Sequence, residues 1–128
     1  MEQNDFNQQL SNLNNTPDST GAFNPNDISN NKVMAILAYF GILVLVPLFA
    51  AKESPFARFH ANQGLVLFVA SIVCCIVAAV LTSISSWLGL IGTILYIVIV
   101  VLAIIGIINA ATGKAKQLPL IGGIQLIK

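Results

Sequence analysis

Residues 64–109 read GLVLFVASIVCCIVAAVLT-SISS-WLGLIGTILYIVIVVLAIIGIIN, and this stretch decides the fold class. Two apolar runs, 64–82 and 87–109, flank the polar link Ser83-Ile84-Ser85-Ser86. Each approaches the ~20 residues a helix needs to cross about 30 Å of hydrocarbon. Neither alternates polar with apolar positions, as barrel strands do, so both are read as helices. A four-residue link leaves them no arrangement but an antiparallel hairpin.

Working outward, the chain carries no Asp, Glu, Lys or Arg from Phe59 to Gly113. Charged residues are 9% and hydrophobic residues 56% of the 128, with a mean hydropathy of +0.84. Soluble domains carry about 25% charged residues, so a water-soluble globule is excluded and the bilayer must act as solvent. A net charge of +1 gives no basis for nucleic-acid binding, which needs an exposed basic face.

A third apolar run covers 33–51, with Asn30 or Asn31 available as helix cap and Pro47 near its far end. The expected fold is therefore an all-α integral membrane protein with three transmembrane helices, at about 33–51, 64–82 and 87–109. A disordered polar N-terminal tail precedes them and an amphipathic C-terminal segment follows. The tail, 1–31, is rich in Asn and Gln and too poor in apolar residues to offset the entropy of ordering. Within it Phe6, Leu10 and Leu13 share one helical face. The start lacks the basic and apolar regions of a secretory signal. The remainder, 32–128, forms one transmembrane domain with interfacial segments at 53–63 and 113–128, the latter too short in its apolar half to span.

Three crossings put the loop with Lys52 and Arg58 on the same side as Lys114, Lys116 and Lys128. The positive-inside rule then places the C-terminus in the cytoplasm and the tail outside. Trp87 stands where an interface anchor belongs.

Ser54 followed by Pro55 reads as N-cap and first helical residue, so the second helix should begin well before its apolar run. Its first turns hold Arg58, His60, Asn62 and Gln63. These could form a polar cluster at the cytoplasmic mouth that takes a lipid headgroup or a partner. They could equally anchor the helix, Arg58 snorkelling to phosphates while His60 and Gln63 cap neighbouring backbone. Ala70, Cys74 and Ala78 form one row of small residues and Ser71, Cys75 and Ala79 the next, with Gly106 and Ala110 in the third helix. Such rows suit close helix packing, and metal or redox chemistry has no further soft ligand nearby.

No catalytic constellation, cofactor motif or metal spacing is present, and no ionisable group lies mid-membrane for proton-coupled transport. The expectation is a non-enzymatic subunit or accessory factor of a membrane assembly, in contact with the lipid bilayer and with itself or another membrane protein. The alternative is a small oligomeric pore or transporter lined by Gln63, Ser71, Ser83, Ser85 and Asn109. A lipid-directed enzyme depending on His60 is the third reading.

Three strings carry a resemblance: Lys32 to Phe40, Ser54-Pro55-Phe56-Ala57-Arg58-Phe59-His60-Ala61-Asn62-Gln63-Gly64, and Ile107 to Lys114 with Leu118-Pro119. Over roughly 32–128 the chain resembles a prokaryotic membrane family similar to the pore-associated subunit of the chloroplast inner-envelope protein import machinery. The resemblance implies a helical fold in the plasma (inner) membrane of a prokaryote, a link to polypeptide translocation, and weight on Arg58, His60, Gln63, Gly113 and Pro119, beside which Lys114 completes the candidate cluster.

Overall fold

The computed structural model describes residues 16–127. Among these residues five α-helices follow one another: α1 (Pro25–Asn30), α2 (Lys32–Leu37), α3 (Leu45–Ala50), α4 (Pro55–Ile84) and α5 (Gly89–Ala111). Short 3-10 turns lie at Thr20–Ala22, Gly41–Val44 and Ser86–Leu88. Among the described residues there is no sheet, and a single antiparallel bridge pairs Asp18 with Lys116.

Helix α4 begins at the Ser54–Pro55 signal, where the Ser54 hydroxyl accepts a hydrogen bond from the Ala57 N–H. Its 30 residues extend about 45 Å at 1.5 Å per residue, more than the hydrocarbon needs. Among the described residues two elements are long and apolar enough to cross a membrane: α4, and Ser86–Ala111 containing α5, with mean hydropathies of 3.0 and 3.1. Along the pair Ala78 faces Gly92 so closely that a Cβ on Gly92 would stand 2.7 Å from the Ala78 Cβ.

The first apolar run departs from the expected single helix. Helix α2 stops after six residues, and Gly41 takes a φ of +63°, a left-handed conformation that glycine adopts without penalty. Pro47 then sits in the first turn of α3, where its missing N–H costs nothing, so it opens a returning helix rather than closing a spanning one. Both ends of the run meet on one side of the molecule. The Asp27 carboxylate, just before α2, accepts from the Asn31 side chain and from the Phe56 N–H at the start of α4. Asn31, Ala50, Ala51 and Ser54 line one shallow cavity. The chain turns at Phe40–Gly41 and comes back to the end from which the run started.

The core lies where this loop packs between α4 and α5. Ala35, Ala38, Ala57, Ala61 and Ala110 are fully buried, small residues that bring backbones together where lipid offers little hydrophobic drive. A Cβ on Gly64 would lie 1.9 Å from the Ala38 carbonyl oxygen, and one on Gly106 would lie 2.2 Å from the Tyr39 ring. Among the described residues, burial on α4 stops at Leu67 and on α5 begins at Leu102. Beyond those levels the two helices run on as a bare hairpin.

The tail also departs from expectation. Residues 1–15, with the Phe6, Leu10 and Leu13 face, lie outside the described residues, as does Lys128. Residues 16–31 are folded, and Ser19 and Gln117 donate backbone hydrogen bonds to Ala115 and Pro17 at 2.9 and 3.1 Å. The N-terminal segment and the C-terminal segment therefore share one side, which overturns the expected placement of tail and C-terminus on opposite sides. The C-terminal segment after Ala111 runs in turns and bends, because side chains of α4 take up its backbone groups.

Candidate functional site

The polar end gathers the residues expected to form a cluster, but most of them point inward. His60 is fully buried, ringed edge-on by Phe56, Phe59 and Tyr39 with ring centroids 4.9, 5.2 and 5.6 Å away. Its Nε2 lies 2.9 Å from the Lys114 carbonyl oxygen and its Nδ1 2.6 Å from the Tyr39 hydroxyl. A carbonyl can only accept, so Nε2–H donates to Lys114 and Nδ1 accepts from Tyr39. The neutral imidazole thus ties the first loop, α4 and the chain after α5 at one point.

Gln63 repeats the device one turn on. Its Oε1 accepts from the Leu118 N–H at 2.8 Å and its Nε2 donates to the Gly122 carbonyl at 2.9 Å. Asn62 donates to the Ile124 carbonyl at 2.9 Å and accepts from the Leu126 and Ile127 N–H groups. Together His60, Asn62 and Gln63 latch the C-terminal segment along the start of α4. A buried amide left unmatched costs about 1–3 kcal/mol, so each pairing holds the segment in place. Gly113 permits the turn out of α5 with a φ of +74°, and Pro119 is buried beside Leu118. Lys114 supplies its carbonyl to His60 while its own side chain is exposed.

Arg58, Asn62 and Gln63 border a cleft. This cleft, of about 470 Å³, is lined by Lys52, Glu53, Arg58, Asn62, Phe23 and Phe59 among others. Two cations, one carboxylate and two aromatic rings suit an amphipathic partner with an anionic group. Nearby, the Thr20 hydroxyl and N–H, with Lys116 and Lys114 adding weaker attraction, hold the Asp18 carboxyl below its ordinary value.

The small-residue rows separate. Ala70, Cys74 and Ala78 are half-buried, Ala78 lying against Gly92 of α5, whereas Cys75 and Ala79 are exposed and Ser71 bonds back to the Phe68 carbonyl. Gly106 and Ala110 serve the first loop through Tyr39 and the core rather than another copy. Of the residues named for an oligomeric pore, Gln63 and Asn109 are buried in the packed end, while Ser83 lies at the far end bonded to the Val80 carbonyl. No group of three or more His, Cys, Asp or Glu stands together among the described residues.

Sequence reasoning missed Asp27, Tyr39 and the turn at Gly41. A glycine six residues before a proline inside an apolar run was a readable signal of a helix stop and a new start. Asp27 had none, since its partners lie across the fold.

Residues 30–127 match the profile of a family described as the magnetosome magnetite crystal formation protein family, MamF/MmsF. The chain is 36% identical over 93 residues to magnetosome protein MamF of Paramagnetospirillum magneticum, covering 70% of this chain and 78% of that one. It is 34% identical over 95 residues to MamF of Magnetospirillum gryphiswaldense, covering 72% and 79%. To MmsF of P. magneticum it is 46% identical over 37 residues, 29% of this chain and 35% of that one. No solved structure matches. These matches overturn the relationship to the chloroplast import machinery. The string from Arg58 to Gly64 misled because it builds the latch and the seat for Ala38, and so marks an architecture rather than translocation.

Proposed function

The chain belongs to the magnetosome magnetite crystal formation protein family, and on that premise we propose that it works in the magnetosome membrane as a non-enzymatic accessory of magnetite crystal formation. The observation that carries this reading is the family match over residues 30–127, which takes in the first loop, both long helices and the latched C-terminal segment. The matched part is thus the folded membrane unit itself.

In this reading the chain crosses the bilayer twice, through α4 and α5, and dips into it once through residues 32–51. Lys32, Lys52, Arg58, Lys114 and Lys116 all belong to the polar end, and the far turn at Ser83–Ser86 carries no charge. The positive-inside rule then favours a cytoplasmic polar end, with the N-terminal segment and the C-terminus together. The hydroxyl-bearing far turn and Trp87, which is 68% exposed, would face the mineral compartment. The cleft at Arg58 and Lys52 would receive a lipid headgroup or a neighbouring membrane protein.

The test is complementation in a magnetite-forming host deleted for its own members of the family. The tagged chain should reach the magnetosome membrane and restore crystal dimensions measured by electron microscopy. Correct localisation with crystals unchanged from the deletion strain would sink the reading. Topology is checked by labelling single cysteines at Ser29 and Ser86 after replacing Cys74 and Cys75 by Ala. The two should label from opposite sides.

A further inference from the structure

The two halves of the membrane see different cross-sections of this protein. At the polar end four helical pieces lie side by side: α2, α3, α4 and α5. Among the described residues, only α4 and α5 continue past Leu67 and Leu102. Leu67 lies 17 residues, about 26 Å, from the far end of α4, and Leu102 lies 13 residues, about 20 Å, from the start of α5. The first loop is therefore confined to the leaflet at the polar end. Two extra helices of about 10 Å diameter add about 160 Å² to that leaflet and nothing to the other.

Lipid chains are the occupant that the loop's outer surface fits. Val33, Phe40, Ile42 and Phe49 are 69, 50, 60 and 63% exposed, in direct continuity with the lipid-facing sides of α4 and α5. Lys32 and Lys52 frame the loop at its two ends, where cations meet headgroups. The latched C-terminal segment adds apolar side chains at the same level, with Leu120, Ile124 and Leu126 exposed by 86, 51 and 50%. Apolar groups held at the headgroup boundary spread that leaflet further.

We propose that the protein is a one-sided wedge that favours curved membrane, with the leaflet at its polar end on the convex face. Its partner in this role is the lipid surface, selected by shape. The proposal rests on the re-entrant reading of residues 32–51 and is independent of any role in mineral growth.

The experiment reconstitutes the full chain, with Cys74 and Cys75 replaced by Ala and Gln125→Cys added, into small and large vesicles of phosphatidylcholine and phosphatidylglycerol. An impermeant thiol reagent reads the fraction of polar ends facing outward. The outward-to-inward ratio should be about threefold or more higher in small vesicles than in large ones, a shift set by differential affinity for the two curvatures. In a second preparation a spin label at Ile42 reports depth. The Phe40→Ser, Ile42→Ser variant, altered at exposed positions, should lose most of the size dependence. Equal ratios in small and large vesicles with the Ile42 label within the acyl chains would overturn the wedge and leave the topology standing. A label at Ile42 in water on the side opposite Gln125 would overturn the re-entrant reading and the wedge with it. A Phe40→Ser, Ile42→Ser variant as size-dependent as the parent would also count against the wedge.

Discussion

The polar end and the far hairpin are built from the same two helices by different rules. At the polar end α4 and α5 are wrapped by the first loop and by both terminal segments, and polar groups are buried in matched pairs around His60 and Gln63. Among the described residues the far ends of the two helices pack only on each other and on the turn that joins them, through contacts such as Ala78 against Gly92, and their other apolar faces are exposed. The difference teaches where specificity resides. A helix pair in lipid needs small residues and length, whereas a packed end needs named partners.

The comparison breaks first at the glycines. Gly64→Val should destabilise the fold by about 3 kcal/mol or more, because its Cβ meets backbone of Ala38 that cannot yield. Thermal unfolding in detergent measures it, with protease cleavage after Lys32 and Lys52 reporting release of the loop. Gly92→Val should cost only about 1 kcal/mol, since two helices with no third layer can separate slightly. A larger loss at Gly92 than at Gly64 would reverse the assignment of the stable end.

His60→Ala should cost about 2–4 kcal/mol, through the cavity among three aromatic rings and the stranded Tyr39 hydroxyl and Lys114 carbonyl. Hydrogen exchange should rise at residues 113–118 and stay low along 68–84. Gln63→Leu should cost about 1–3 kcal/mol and expose the amides of Leu118 and Gly122 while leaving the Lys114 region protected. Loss of protection along the far hairpin in either variant would show that the two regions unfold as one.

The smallest effects sharpen the hairpin itself. Cys74→Leu faces α5 and should cost about 1–2 kcal/mol, whereas Cys75→Leu faces lipid and should stay within about 0.5 kcal/mol. Equal losses in a melting series would mean that the Cys75 side is packed against another copy.

The two long helices were legible because apolar length against bilayer thickness is a local property of the chain. So was the start of α4, since Ser54 and Pro55 act within four residues of themselves. The first apolar run was misread as a span because its length suited a crossing, while the break at Gly41 and restart at Pro47 were weak against so much hydrophobicity. Of the candidate cluster, the residue types were evident but their direction was not. Arg58 and Asn62 border a cleft, Gln63 reaches its wall while buried, and His60 is consumed inside.

By itself, then, the sequence determined the helical membrane class and the two long apolar helices joined by a short link, though it also pointed to a third span, because the signal of a continuous apolar run depends on composition and length alone. Only the tertiary structure decided that residues 32–51 turn back, that both terminal segments meet at one end, and that His60 holds a latch. Those outcomes depend on contacts between Asp27 and Phe56, Ala38 and Gly64, and His60 and Lys114, residues up to 54 positions apart. No local pattern encodes such pairings, since each exists only once backbones have been brought within a few ångströms of one another.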